Sequence, residues 1–117
     1  YVGGVISYSN DVKMQLLGVK QQTLSQYGAV SEQTACEMAE GVRRCTGADI
    51  GLSTTGVAGP DGGTEEKPVG LVYIGLSTAQ GTRAIRFLRT GAKRDRVRRM
   101  ASSTALDLVR RQIQGVE

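Results

Sequence analysis

Apolar and polar positions in the first third of the chain predict a strand followed by two short helices. Residues 2–7 form an apolar run with Val, Ile and Gly, as in a buried strand. Asn10 is suited to cap the helix that follows, and Gly18 is suited to end it. Residues 20–27 are expected to form the second short helix, with Gly28 after it.

A longer helix is the clearest prediction of the pattern. Ser31 can cap its N-terminus, and Gly47 lies directly after its end. Between them, small or apolar residues recur with the spacing of one helix face. They are Ala35, Met38, Ala39, Val42 and Cys45. The pattern therefore predicts an amphipathic helix with this face toward a core.

The second half of the chain alternates like strands and then returns to helical spacing. Residues 50–55, 69–77 and 82–88 are predicted strands, and a turn at residues 79–81 joins the last two as a hairpin. Residues 93–114 keep the apolar spacing of a helix that closes the domain. The order of strand, three helices, three strands and helix favours an α/β domain in which helices cover a mixed sheet.

The chain length and the residue types limit what this domain can be. Its 117 residues suffice for one core, since a chain of this size buries roughly two-thirds of its unfolded surface. There is no His, which excludes a Ser-His-Asp or Cys-His hydrolase and any His-ligated metal site within these residues. Tyr1 stands in place of a start Met, directly before the predicted strand. We therefore expect the chain to open inside a fold, with a preceding piece absent.

The spacing of the two cysteines indicates the cellular compartment in which the protein is expected. Cys36 and Cys45 lie nine positions apart, a spacing that matches neither a redox pair nor a zinc-binding pair. We expect free, buried thiols in a reducing compartment, and hence a cytoplasmic protein. No apolar run approaches the roughly 18 residues that a membrane span requires, and no signal-peptide pattern opens the chain. A membrane is therefore not an expected partner.

The net charge of +4 comes from the end of the chain. Ten of the 15 basic residues, but three of the 11 acidic ones, follow residue 80. The excess is concentrated in a basic cluster, which is Lys93, Arg94, Arg96, Arg98 and Arg99. Such a cluster is most often a solvated helix face, and it can also hold a phosphate. Nucleic acid is not an expected partner, because aromatic residues make up 4% of the chain and no stacking stripe interleaves the cluster.

Two segments carry candidate chemistry, and the first joins the first predicted strand to its helix. With Asn10 as the N-cap, Lys13 is the third helical residue, beside the positive end of the helix dipole. That position disfavours the ammonium form, and a lowered pKa is what a Lys general base requires. Tyr8 could pass a proton or hold a substrate oxygen. The simpler alternative is a packing role for Tyr8 and a surface ion pair of Lys13 with Asp11.

The second segment is the Gly-rich loop, defined as residues 55–68. Its glycines at positions 56, 59, 62 and 63, with Thr hydroxyls nearby, let backbone N–H groups converge on an anion. The loop matches neither the Walker A pattern nor the dinucleotide pattern G-x-G-x-x-G. Glu65 and Glu66 are given no catalytic role. The alternative is a connection rich in turn residues, although unstructured loops of about 13 residues are uncommon unless they are functional.

Four segments of the chain carry a resemblance to one family. They are GGVISYSNDVKMQLLGV, YGAVSEQTACEMAEGV, TTGVAGPDGGTEEKPVGLVYIGL and RDRVR, and together they extend over nearly the whole chain. These segments resemble the C-terminal domain of the competence/damage-inducible protein CinA, a family that includes the stand-alone nicotinamide mononucleotide deamidase. The resemblance implies a three-layer α/β/α fold with a mixed sheet.

The resemblance also implies an activity. The family's amidase reaction hydrolyses the carboxamide of nicotinamide mononucleotide to nicotinate mononucleotide and ammonia, without a metal or another cofactor. Tyr8 and Lys13 match the catalytic Tyr and Lys of the family. The family's Ser nucleophile belongs to a Gly-rich S-x-T-G-G segment upstream of the GGV strand. We therefore expect the nucleophile, with a first helix, in the absent piece before Tyr1, and we expect this fragment alone to be inactive.

The resemblance further implies where the nucleotide substrate binds. Contacts to ribose and phosphate are expected from the Gly-rich loop and from two arginines that match the family pattern R-x-x-V/I-R. They are Thr55, Gly56, Gly59, Gly63, Thr64, Arg94 and Arg98. The stretch before Arg94 is one residue longer than the family's G-x-R. A homodimer is expected. The alternative function is a non-catalytic nucleotide-binding or dimerisation module of a competence or DNA-damage-related protein.

Overall fold

The computed structural model describes residues 1–115, which contain four helices and three strands. In chain order they are α1 (Asn10–Leu17), α2 (Gln21–Tyr27), α3 (Glu32–Thr46), β1 (Gly51–Gly56), β2 (Leu71–Thr78), β3 (Gly81–Leu88) and α4 (Arg94–Gln114). All four predicted helices and the last three predicted strands are therefore confirmed, with ends that shift by one or two residues.

The helix starts follow the predicted caps, with one shift. Ser31 caps α3 through its side chain, as predicted. Ser9 rather than Asn10 caps α1, because the Ser9 Oγ accepts a hydrogen bond from the backbone N–H of Val12 at 3.2 Å. Helix α1 consequently begins at Asn10, and Lys13 is its fourth residue. Lys13 still lies next to the first turn, where the helix dipole disfavours a positive charge.

One face of the sheet is apolar and packs against α4. Val72, Ile74 and Leu76 alternate along the central strand β2 on this face. They form the main core with the buried stripe of α4, which is Val97, Ala101, Ala105 and Leu108. Complete burial of one large aliphatic side chain contributes about 1.5–3 kcal/mol. This cluster is therefore a main source of the stability that holds α4 on the sheet.

The other face of the sheet carries small residues, and α3 lies close against it. A Cβ at Gly75 would overlap the carbonyl oxygen of Ala35, and a Cβ at Gly51 would overlap that of Ala39. The Ser53 hydroxyl donates a hydrogen bond to the Ala35 carbonyl at 2.6 Å. Helices α1 and α2 pack in turn against α3. Helices thus cover both faces of the sheet, which confirms the α/β class and its three layers.

The first eight residues differ from the prediction. They belong to no strand, and within residues 1–115 none of them joins a backbone hydrogen-bond ladder. The prediction of a buried strand over residues 2–7 is therefore wrong. The three-stranded sheet is antiparallel in both of its pairings rather than mixed. Residues 1–8 form no strand pairing because a groove separates them from the free edge of β1.

The two cysteines are free, but they differ in exposure. Cys36 is half-buried, whereas Cys45 is exposed, so the expectation of two buried thiols is wrong for Cys45. Cys45 lies in the last turn of α3, beyond the buried part of that helix. Burial raises the pKa of the Cys36 thiol, and neighbouring carboxylates raise it further. In the part of the chain that the structure describes, no helix has the length and apolar character needed to cross a membrane.

Candidate functional site

Lys13 is a buried cation close to the start of α1. Its residue surface is 7% exposed, and its Nζ donates a hydrogen bond to the carbonyl oxygen of Ser7 at 2.7 Å. Burial lowers the pKa of the Lys13 ammonium below its ordinary value of 10.5, because the charged form loses hydration. Among the described residues no ion pair joins Lys13 to Asp11, so the alternative of a surface pair is not observed.

Lys13 lies about one helical turn before Leu17, where α1 packs closely on α3. Leu17 and Val19, at the end of α1, form a small core with Met38 of α3. A Cβ at Gly41 would overlap the carbonyl oxygen of Leu17, so only glycine lets the two backbones approach this closely. The Lys13 ammonium is thus positioned by the packing of two helices and by a short hydrogen bond, rather than by a flexible stem at the surface.

Tyr8 contrasts with Lys13, because it is 97% exposed. Its side chain lines a groove of about 820 Å³. We define this edge groove by its walls. They are residues 1–8, residues 48–50 and 52–54 at and before β1, Leu17 of α1, Met38, Val42 and Thr46 of α3, and Leu106 and Val109 of α4. Within the described residues no hydrogen bond joins Tyr8 to Lys13. Lys13 instead contacts Ser7, the residue directly before Tyr8. The structure therefore places both predicted catalytic groups at one bend of the chain without bringing them into contact.

Backbone hydrogen bonds join the start of the Gly-rich loop to the residues that follow its end. The backbone N–H of Val57 donates to the Leu71 carbonyl at 2.8 Å, and that of Gly70 donates to the Val57 carbonyl at 2.6 Å. Further along the loop, the N–H of Thr64 donates to the Lys67 carbonyl at 2.9 Å, and the N–H of Lys67 donates to the Thr64 Oγ1 at 3.0 Å. Because the Thr64 hydroxyl only accepts here, it keeps its own hydrogen for a ligand.

Close approach within the loop explains several of its glycines. Gly59 has a φ of +87°, and a Cβ there would overlap the side chain of Val69. A Cβ at Gly63 would lie 2.7 Å from the backbone nitrogen of Val69. At the end of β1, a Cβ at Gly56 would lie 2.6 Å from the Leu71 carbonyl oxygen. These three predicted site residues are therefore required for the folding of the loop, whatever they contribute to a ligand.

Arg94 brings the basic cluster to the Gly-rich loop. As the first residue of α4, it donates from Nη1 to the carbonyl oxygen of Gly59 at 3.0 Å. Helix α4 begins without a hydrogen bond from a capping side chain. Arg98 lies about one turn later, in an open surface groove with Arg99 and Ser102. Within residues 1–115 the structure thus brings Arg94, but not Arg98, to the loop.

Lys67 and Thr55 tie the loop and the end of β1 to the turn between α2 and α3. The Lys67 Nζ donates to the carbonyl oxygen of Tyr27, and the Thr55 Oγ1 donates to that of Ala29 at 2.7 Å. Thr55 is buried, so its hydroxyl supports the turn. Sequence reasoning assigned no role to Lys67. Gly28 has a φ of +84°, and a Cβ there would lie 2.6 Å from the Lys67 Nζ. This relation exists only in the folded chain, so the sequence carried no signal for the Lys67 contact.

These groups define what the arrangement can do chemically. A buried amine with a lowered pKa can take up a proton, an exposed phenol can relay one, and a guanidinium held at a loop can bind an anion. Among residues 1–115, no three His, Cys, Asp or Glu side chains lie close enough together to hold a metal ion. The fold and these groups define an α/β domain that holds a buried lysine near the start of α1 and an arginine at its Gly-rich loop.

Comparison with known families identifies the domain more closely. The model of the CinA C-terminal domain family matches residues 1–113, and the chain therefore belongs to that family. A relative from Kosmotoga olearia, named CinA-like protein, is 55% identical over 111 residues, which are 95% of this chain and 27% of the relative. The chain thus spans about a quarter of the length of the curated relatives that it matches first.

Two solved structures are similar to most of the chain. The competence/damage inducible protein CihA of Agrobacterium tumefaciens superimposes with a TM-score of 0.85 at 38% identity, over 88% of this chain and 63% of that chain. The competence damage-inducible protein A (ComA) of Klebsiella pneumoniae gives a TM-score of 0.88 at 32% identity, over 95% of this chain and 68% of that chain. These names refer to competence and damage induction and to no chemical reaction.

Proposed function

We propose that the chain is part of an amidohydrolase that converts nicotinamide mononucleotide to nicotinate mononucleotide and ammonia. The observation that supports this most directly is the buried Lys13 ammonium, whose pKa is lowered. Its Nζ donates at 2.7 Å to the carbonyl of Ser7, the residue directly before the exposed Tyr8. A Lys with a lowered pKa can act as the general base for a serine nucleophile, a role that no His can take in this chain. Membership of the CinA C-terminal domain family supports the same activity.

In the proposed reaction, a serine from a part of the protein outside these residues attacks the carboxamide carbon. Neutral Lys13 takes the serine proton, directly or through Tyr8. The carbonyl electrons move to the oxygen, and backbone N–H groups stabilise the charge that develops there. When the intermediate collapses, the C–N bond breaks, and the nitrogen receives the proton from Lys13 or Tyr8 and leaves as ammonia. Water then hydrolyses the acyl-enzyme, and its proton restores the serine.

The Gly-rich loop, Arg94 and Arg98 are proposed to bind the ribose and phosphate of the substrate. One guanidinium nitrogen of Arg94 contacts Gly59, so the remaining N–H groups are available for a phosphate. The Thr64 hydroxyl accepts from Lys67 and can donate to a substrate oxygen. Arg98 is proposed as a second phosphate contact along α4. Thr55 contributes by supporting the turn between α2 and α3.

The experiment that tests this function is deamidation by the complete gene product. We expect ammonia and nicotinate mononucleotide to form from nicotinamide mononucleotide, and less product to form from free nicotinamide. Lys13→Ala and Tyr8→Phe are each expected to reduce turnover at least about tenfold, since general acid–base catalysis typically contributes about 10²–10⁴-fold. Lys20→Ala, at an exposed position just after α1, is the matched control.

Two outcomes would overturn the proposal. Unchanged turnover in Lys13→Ala or in Tyr8→Phe would remove that residue from the mechanism. If the complete, folded product binds the nucleotide but releases no ammonia, the domain is a non-catalytic nucleotide-binding or dimerisation module instead.

A further inference from the structure

The ammonium group of Lys67 is held against the turn that follows α2. Its Nζ donates a hydrogen bond to the carbonyl oxygen of Tyr27, the last residue of α2. A Cβ at Gly28 would lie 2.6 Å from this Nζ, so the glycine leaves the space that the ammonium takes. Lys67 is therefore fixed by a long-range contact, although residues 60–66 just before it are exposed.

The positive charge of Lys67 is not neutralised by an acidic side chain. The acids directly before it, Glu65 and Glu66, are exposed. Among the described residues, no carboxylate forms an ion pair with the Lys67 ammonium. The Tyr27 carbonyl is neutral and takes one of the three N–H groups of the ammonium. Two N–H groups and the charge are therefore available to an anion.

Thr64 adds a neutral donor beside this cation. Its Oγ1 accepts from the backbone N–H of Lys67 at 3.0 Å, and its own backbone N–H donates to the Lys67 carbonyl at 2.9 Å. These two hydrogen bonds fix Thr64 and Lys67 relative to each other, and we call residues 64–67 the Lys67 turn. Because the Thr64 hydroxyl hydrogen is not used within the turn, the turn offers both a cation and a hydroxyl donor.

The Lys67 turn and Arg94 are joined to the same part of the Gly-rich loop. A Cβ at Gly59 or at Gly63 would overlap Val69, so both glycines pack against that residue. The Arg94 guanidinium donates to the carbonyl oxygen of Gly59, and Gly63 directly precedes the Lys67 turn. Two anchored cations, each held by a neutral carbonyl, therefore belong to one loop.

We infer that Lys67 is a further anion-binding residue of this loop, and that it makes the site select a phosphate monoester over the same molecule without its phosphate. A phosphate monoester carries roughly −1.5 to −2 charges near pH 7, which two cations match better than one. Lysine binds phosphate as a point charge, whereas arginine binds it through its planar fork. For its ligand, nicotinamide mononucleotide, the inference rests on the proposed function, and it adds the residue that distinguishes this nucleotide from nicotinamide riboside.

Binding of inorganic phosphate to the complete gene product, measured by ³¹P NMR titration, tests the inference without the reaction. Lys67→Met is expected to weaken binding at least about tenfold, the effect of losing one hydrogen bond to a charged group. Lys67→Arg keeps a cation and is expected to lose less. Lys93→Met is the matched control, because Lys93 is an exposed lysine directly before Arg94 and its loss changes the net charge equally. Unchanged binding in Lys67→Met, or an equal loss in Lys93→Met, would overturn the inference.

Kinetics with two substrates separate binding of phosphate from support of the loop. In Lys67→Met, kcat/KM is expected to fall at least about tenfold for nicotinamide mononucleotide and to stay unchanged for nicotinamide riboside, which has no phosphate to contact. An equal fall for both substrates would show a structural role alone and would overturn the inference. Phosphate binding that depends on Lys67 without any release of ammonia would support the inference and overturn the proposed reaction. Deamidation with equal phosphate affinity in Lys67→Met would overturn the inference alone.

Discussion

The Lys13 region and the Gly-rich loop hold their functional groups in opposite ways. Lys13 is buried in α1, which packs on α3, and its ammonium donates to the Ser7 carbonyl. Residues 60–66 of the loop are exposed, while Arg94 and Lys67 tie the loop to other elements. Burial shifts the pKa of a proton-transfer group, whereas an anion requires accessible N–H groups and cations. Changes near Lys13 should therefore affect the chemical step, and changes at the loop should affect substrate binding.

The largest expected effect is on kcat in Lys13→Met. Loss of a general base typically reduces the rate by about 10²–10⁴-fold, and we expect a loss in this range with KM changed less than about threefold. Steady-state kinetics of nicotinamide mononucleotide deamidation by the complete gene product measure both constants. Lys20→Met is the control and should retain both. A change confined to KM would place Lys13 in substrate binding. It would contradict the assignment of Lys13 to the chemical step and of the Gly-rich loop to substrate binding.

A smaller effect is expected for Arg94→Ala, on KM rather than kcat. A hydrogen bond to a charged group contributes about 1.5–3 kcal/mol, which corresponds to a rise in KM of about tenfold or more. Arg99→Ala is the matched control, since Arg99 belongs to the same basic cluster but lies in the surface groove with Arg98. The same kinetic assay measures both variants. An equal rise in KM for Arg99→Ala would show that general charge, and not contact with the loop, binds the phosphate.

Thr55→Val is expected to reduce the free energy of unfolding by about 1–3 kcal/mol, because the Ala29 carbonyl loses its hydrogen-bond donor. Thr54→Val is the control, since the neighbouring Thr54 is exposed. Urea denaturation of both variants measures the difference. Equal stabilities would mean that the contact between β1 and the turn after α2 contributes nothing to the fold.

The smallest expected effect is on the pH dependence of stability. The pKa of Lys13 is lowered in the folded state and ordinary in the unfolded state. Between the lowered pKa and 10.5, the unfolded state therefore binds more protons, and stability rises with pH in this window. Lys13→Met should remove that rise, and Lys20→Met should keep it. Urea denaturation at a series of pH values measures the slope, and an unchanged slope in Lys13→Met would contradict the assignment.

Local signals predicted the elements, and long-range contacts decided the rest of the fold. The caps and apolar spacing of α3 and α4 are properties of adjacent residues, so the sequence predicted both helices closely. The apolar run of residues 2–7 predicted a buried strand, but every second residue of this segment is exposed, and pairing requires a neighbouring strand. That neighbour is absent from the described residues, so the local pattern predicted a strand where the structure has none.

In the candidate site, too, some features could be predicted from adjacent residues, whereas others depend on long-range contacts. A lowered pKa for Lys13 could be predicted from its place near the start of a helix, yet the burial that lowers it exists only in the folded chain, where α1 packs against Gly41 of α3. Lys67 contacts Tyr27, which lies 40 positions earlier in the chain. No local pattern predicts such a contact. The left-handed conformation of Gly28, beside the Lys67 Nζ, becomes informative only once the fold is known.

The pH dependence of kcat/KM for nicotinamide mononucleotide tests the role of Lys13 as the general base most directly. For the complete gene product, kcat/KM is predicted to rise with pH through an apparent pKa below the ordinary 10.5 of Lys. The residual activity of Lys13→Ala is predicted to lack this rise, while Lys20→Ala keeps it. A rise of the same midpoint and size in Lys13→Ala would contradict the account.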